Sequence, residues 1–242
     1  MKKSLLSLVA MAALLGFAAP APAQDIKPGG VMVAGGAGLL GSDIVKLLLA
    51  KGETVSVFVR PETDRAKLAG LAVHVTEGDA MKAADVEAAV MKAKPRAVIN
   101  AIGGRGNTVG FWDTTQKNIT AAAKQAGVKE LIFFSSVGVG DSAKAYPPED
   151  LARAREAMLE RERAEDDLKA SGLTYVIIRT GGLSWHGEPP TGNGTLTEDR
   201  GVLGMIKYAD LARLTVNCIG NAACANKTWA SVDPNLKRPE GR

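Results

Sequence analysis

The chain has 242 residues, 46% of them apolar and 23% charged, which is enough to bury a full core and excludes a disordered or collagen-like polymer. Thirty Lys and Arg stand against 26 Asp and Glu, a formal net charge of +4, and Lys2 and Lys3 fall in a segment expected to be removed. The remainder is too nearly neutral for a nucleic-acid binder, and two Cys with two His argue against a metal centre.

Residues 1–23 combine a basic start, an apolar run from Leu5 to Ala19 and the small-residue pattern Ala21-Pro22-Ala23. These are the three parts of a secretory signal, too short in its apolar run for a stable membrane span. The expected mature chain therefore begins at Gln24, as an exported protein that is periplasmic in a Gram-negative host, and residues 24–242 form one domain.

Two periodicities then alternate. Short apolar or β-branched runs at 30–34, 54–59, 72–76, 97–99, 131–134 and 175–178 predict strands. Between them, residues 44–49, 83–94, 112–126 and 150–171 carry apolar groups at helical spacing. Strands alternating with helices imply βαβ units, hence a doubly wound α/β fold with one parallel sheet and helices on both faces. A glycine-rich stretch at 181–204 is too long for an ordinary connection and is read as a substrate-side loop. A helix at 208–219 and a strand at 228–232 follow. Cys218 and Cys224 lie at the end of that helix and in the turn after it; in an oxidising compartment they are candidates for a local disulfide, the alternative being two free thiols.

The run Val33-Ala34-Gly35-Gly36-Ala37-Gly38-Leu39-Leu40-Gly41 ends a strand and opens a helix, the context that a dinucleotide fingerprint requires. Gly35 permits the turn, Gly38 lets backbone approach a pyrophosphate, and Gly41 lets helix and sheet pack closely. The amides of the helix start, at Leu39 and Leu40, then face the phosphates. Arg60 stands at the end of the second strand, where an acid suits NAD and a base suits the 2′-phosphate of NADP. It points to NADP, with Arg65 as a possible helper and NAD as the alternative.

Taken together these stretches resemble the atypical short-chain dehydrogenases of the NmrA-like, NAD(P)H-binding type. Gly78-Asp79 resembles the family's adenine-contacting acid, and Ala101-Ile102-Gly103 its cofactor-lining turn after the fourth strand. Phe134-Ser135-Ser136 resembles its fifth strand, and Arg179-Thr180-Gly181-Gly182-Leu183 its nicotinamide-side loop. The resemblance implies that Asp79, Ala101, Ile102, Gly103, Ser135, Thr180, Gly181 and Gly182 meet the cofactor. It also implies carbonyl chemistry through Tyr-x-x-x-Lys and a Ser, and here the chain departs. Ser135 fits the serine, but Tyr146 is followed four residues later by Asp150, and no Tyr-x-x-x-Lys exists.

Arg161 lies on the apolar row of the 150–171 helix, where the family commonly has a lysine. It is either a cofactor contact or the i,i+4 partner of Glu165. The other charges of this helix, Glu160 among them, are expected on a solvated face. His186 is either a proton donor over the substrate pocket or a surface histidine. Three functions follow: an NAD(P)H-dependent reductase of a small conjugated acceptor such as a flavin or quinone, a silent cofactor-binding sensor or scaffold, or a carbonyl reductase with Tyr146 or His186 as acid. A monomer or weak dimer is expected.

Overall fold

In the computed structural model, residues 28–104, 108–184 and 186–237 are described; the expected leader at 1–23 lies outside them. Strands β1 (Val31–Ala34), β2 (Val55–Val59), β3 (Val73–Glu77), β4 (Ala97–Asn100), β5 (Glu130–Ser136) and β6 (Thr174–Thr180) form where the apolar runs predict them. Helices α1 (Leu39–Ala50), α2 (Ala83–Ala93) and α3 (Phe111–Gln125) connect the first of these, and α6 (Tyr208–Cys218) precedes the last strand, β10 (Lys227–Val232). The sheet order is β3-β2-β1-β4-β5-β6-β10-β8, with every pair parallel except β10 and β8 (Thr195–Thr197). This is the doubly wound architecture expected.

The alternation of side chains across each strand divides the core in two. Val31, Val33, Val57, Ile99, Ile132 and Ile178 face α1 and α6. Met32, Ala34, Phe58, Val98, Phe133 and Ile177 face α2, α3 and the later helix α5 (Arg155–Ala170). Burial on both faces is why β1, β2 and β4 read as mainly apolar runs without alternation, with only the buried Ser56 and Asn100 polar among them.

Two expectations need correction. The single helix at 150–171 is two, α4 (Pro148–Arg153) and α5, because the backbone at Ala154 turns to φ −95°, ψ 6° and interrupts the ladder. A one-residue break hardly disturbs side-chain periodicity, so the pattern alone reads as continuous. The stretch 181–204 is also not wholly irregular. It holds β7 (Gly182–Leu183), which pairs with β9 (Met205–Ile206), and it holds β8, which edges the main sheet. Cys218 and Cys224 are bonded, with Cα atoms 5.4 Å apart, tying the end of α6 to the turn before β10.

Beneath the carboxyl ends of β5 and β6 lies a buried ion pair. Arg179 donates through Nε to Glu165 Oε1 (2.9 Å) and through Nη2 to Glu165 Oε2 (2.7 Å), while its Nη1 reaches Asp141. The side chains of Arg179 and Glu165 are 4% and 1% exposed, so neither can exchange its partner for water. Burial opposes charge on Glu165, but the two hydrogen bonds and the charge of Arg179 outweigh it and hold the carboxyl below its ordinary value of 4.5. An acid depressed on folding stabilises the native state above its unfolded pKa and loses that contribution as pH falls. Glu165→Gln is expected to cost about 3 kcal/mol at neutral pH, since it leaves the buried guanidinium with only the exposed Asp141 as counter-charge. Urea titrations from neutral to acid pH should also show a shallower loss of stability below pH 4.5 in the variant. Equal acid limbs would contradict this assignment.

Candidate functional site

The sheet order reverses between β1 and β4: the chain leaves β1 over one face through α1 and leaves β4 over the other through α3. A crevice opens at the carboxyl ends of such a pair, and ligands of open α/β sheets bind there. Two adjoining chambers fill it, of about 250 Å³ and 320 Å³, both bounded by Gly38, Ala101, Ile102 and Gly103.

The glycine turn forms the boundary between them. Gly35 takes φ +80°, a conformation that favours glycine, and a Cβ there would lie 2.7 Å from the Ala101 carbonyl oxygen. A Cβ on Gly41 would sit 2.3 Å from the Gly35 oxygen, so only hydrogen lets α1 settle this close to β1. The Gly38 N–H is used by the Gly35 carbonyl (2.9 Å), and α1 begins without a side-chain cap or an acidic residue in its first turn. The N–H groups of Leu39, Leu40 and Gly41 have no acceptor within the helix, and nothing anionic offsets the helix dipole. Bare amides beside a wall stripped of Cβ atoms fit the pyrophosphate of a dinucleotide.

The first chamber is lined by Phe58, Arg60, Thr63, Asp79, Ala80 and Phe111, among others. Gly78 brings Asp79 to it, because a Cβ at 78 would strike the Phe58 ring at 2.8 Å. Arg60 is half exposed and paired with Glu62 at 3.3 Å. Arg65 gives no help here; it is drawn to Glu77 at 2.6 Å and does not line the chamber. Asn100 shapes the opposite wall, accepting the Ile102 N–H (3.1 Å) and donating to Gln116 (2.8 Å).

The second chamber is walled by Leu39, Leu40, Trp112, Phe134, Ser135, Arg161, Thr180, Leu183 and Tyr208. Arg161 does not pair with Glu165, which is held by Arg179 and Lys169. Its guanidinium instead lies 3.5 Å from the centroid of the Trp112 ring, and its Nε is buried with no acceptor. Desolvation pushes its pKa down to about 10 against the pull of Glu160 and Tyr146, which leaves it charged at neutral pH. Glu160 is not on a solvated face. It is 6% exposed and accepts the N–H groups of Gly110 and Trp112 (3.2 Å for the latter), capping α3. Gly104 completes the seat of Trp112, whose ring would lie 2.3 Å from a Cβ there.

Several expected residues stand apart from both chambers. Gly181 and Gly182 pack against Gly204 and Met205, so their missing side chains serve the β7–β9 contact and not the crevice. Tyr146 covers Gly138, its ring 3.2 Å from where a Cβ would be. His186 stands with its Nε2 3.5 Å from Asp43 Oδ1 and its ring edge-on to Tyr208. Ser135 Oγ does reach the second chamber. It makes no hydrogen bond of ordinary geometry, though the hydroxyl lies near enough to Glu165 to help keep it ionised. Sequence reading missed Trp112 and Tyr208, and quoted Phe134 and Leu183 within motifs without assigning them to the site. Burial raises the Tyr208 phenol above its ordinary value, and no spacing motif links it to the rest.

The two glycines of α1 should separate by experiment. Gly41→Ala is expected to lower the unfolding midpoint, because backbone must move. Gly38→Ala meets only the Gly35 oxygen at 3.2 Å and should fold, but lose on the order of tenfold or more in dinucleotide affinity by calorimetry. Unchanged affinity in Gly38→Ala would remove the phosphates from this turn.

Known proteins give the same picture. The model of the NAD(P)H-binding family matches residues 35–222. An uncharacterized chloroplastic protein of Arabidopsis thaliana is 31% identical over 182 residues, 69% of this chain and 63% of its own, so the match spans less than two thirds of that relative. The uncharacterized sugar epimerase YhfK of Bacillus subtilis is 26% identical over 82% of this chain and 92% of its own. Among solved structures, ChuY, an anaerobillin reductase from Escherichia coli O157:H7, superimposes with a TM-score of 0.76 at 27% identity, covering 86% of this chain and 99% of that one. A Veillonella parvula short-chain dehydrogenase/reductase in complex with NADP shares the fold at a TM-score of 0.67 and 16% identity, over 87% and 98% of the two chains. With the model covering most of its length and the phosphate turn in place, the chain belongs to the NAD(P)H-binding family.

Proposed function

We propose that the protein is an NAD(P)H-dependent oxidoreductase that reduces a small conjugated acceptor, a flavin or quinone. When bound, the dinucleotide would supply hydride to the acceptor, which would take its one proton from water. The second chamber carries this reading. Its walls are aromatic and aliphatic, suited to a flat ring, and the residue at the family's lysine position is an arginine, which stays charged and does not serve as an acid. Hydride transfer into a conjugated system needs no strong acid from the protein. Holding donor and acceptor face to face supplies most of the catalysis.

Leu39, Leu40 and Gly41 would hold the pyrophosphate through their amides, Asp79 the adenine side, and Ser135 and Thr180 the nicotinamide side. NADP is the proposed form, with Arg60 at the 2′-phosphate after exchanging Glu62 for the ligand. A relative that is itself a reductase, similar over nearly its whole length, supports the class of reaction.

The experiment is titration calorimetry with NADPH and NADH, followed by NADPH oxidation with riboflavin or a naphthoquinone added. NADPH should bind about tenfold more tightly than NADH, and Arg60→Ser should remove that preference. Oxidation should appear only with acceptor and survive in Tyr146→Phe. Binding without turnover on any acceptor would favour a sensor or scaffold; loss of turnover in Tyr146→Phe with binding retained would favour a carbonyl reductase.

A further inference from the structure

Among the described residues Arg161 forms no ion pair, although the nearby Glu160 favours its charge, and it is the one charged side chain that lines the second chamber. Among the described residues lining it none is acidic. Two acids of the same helix are engaged elsewhere: Glu160 by the Gly110 and Trp112 amides, and Glu165 by Arg179 and Lys169. Arg161 itself has one long hydrogen bond, from Nη1 to the Ala157 carbonyl (3.4 Å), and its Nε has none.

A buried cation with an empty donor is costly unless something completes it. The face of the guanidinium is taken by Trp112 at 3.5 Å. Stacking of this kind fixes the plane of the group and leaves its in-plane N–H edge as the remaining surface, the edge that grips a carboxylate or phosphate with two parallel bonds. The cofactor has less call on it. The pyrophosphate has the bare amides of α1, the 2′-phosphate has Arg60 in the other chamber, and the ribose hydroxyls carry no charge.

We propose that Arg161 is an acceptor-binding residue, and that the acceptor is a planar molecule bearing a carboxylate or phosphate, which Arg161 holds while the ring lies against the apolar walls. The inference rests on the reductase reading for calling the ligand an acceptor. The Trp112–Arg161 stack is then a preset clamp: Glu160 holds the backbone under the indole, the indole holds the guanidinium, and neither needs to be ordered when the ligand enters.

Matched ligands test this without a variant. With NADP⁺ saturating, calorimetry compares 2-naphthoate with 2-naphthamide, and flavin mononucleotide with riboflavin; within each pair the ring is the same and only the anionic group differs. At least one anion should bind on the order of tenfold more tightly than its neutral twin. A preference confined to naphthoate names a carboxylate, and one confined to flavin mononucleotide names a phosphate. Arg161→Gln should abolish the preference and Arg161→Lys should restore part of it. Equal binding within both pairs, no detectable binding of either anion at millimolar concentration, or a preference that survives Arg161→Gln would each overturn the proposal. So would a fall in NADPH affinity in Arg161→Gln with the anion preference intact, which would assign the residue to the cofactor. The two readings fail separately: anion preference without turnover sinks the reductase and keeps the clamp, whereas brisk reduction of neutral acceptors with no anion preference does the reverse.

Discussion

Where β1 and β4 lie side by side the chain departs in opposite directions, and their carboxyl ends must be left clear for a ligand. That clearance is a matter of missing carbon atoms. Gly35 passes under the Ala101 carbonyl and Gly41 passes over the Gly35 carbonyl, each at a distance that a Cβ would close. The two contacts set where α1 starts and how near it lies to the sheet, and so they set where its free amides point. Most of the first chamber is arranged around that fixed edge: the turn after β4, the Gly78-Asp79 step after β3, and the arginine after β2.

The far side of the crevice is held by charge instead. Arg179 and Glu165 cross-link β6 to α5 in a buried two-bond contact, and Arg179 and Arg200 both reach Asp141, joining the 3₁₀ segment Gly140–Ala145 to the loop before β9. Polar groups in such a place specify position more than they add stability, since apolar replacements could fill the same space at no greater cost. One turn earlier on α5, Glu160 and Arg161 seize the same tryptophan from two sides, backbone and ring. Successive charged residues that look alike in sequence thus have wholly different partners.

That contrast explains how much was legible in advance. Strand and helix positions, the parallel sheet and the phosphate turn follow from local patterns, because burial on both faces gives mainly apolar runs and a glycine turn has few sequence solutions. The cofactor-side residues Gly35, Gly38, Asp79, Ala101, Ile102 and Gly103 line the crevice as their neighbours in sequence suggested. The wall of the second chamber was not legible in the same way. Trp112, Leu183 and Tyr208 come from three distant segments and meet only through the fold. Glu160 reads as solvent-facing because its partners are main-chain amides 48 and 50 residues away, which leave no trace in helical periodicity. Gly181 and Gly182 illustrate the opposite error: a glycine pair beside a binding loop suggested contact with ligand, whereas the demand came from Met205 and Gly204 behind it.

The outer edge of the sheet has a consequence for the order in which the molecule can be completed. β8 precedes β10 in the chain but lies outside it, and its sole neighbour in the sheet is β10. While the chain emerges from the ribosome, β8 has nothing to pair with and the edge of β6 stays bare until residues 227–232 arrive and slot between the two. β8 therefore gains its anchor only once the strand that follows it in sequence has been made. A nascent chain, or one cut before β10, would have its glycine turn and the strands around it before β8 had any place in the sheet.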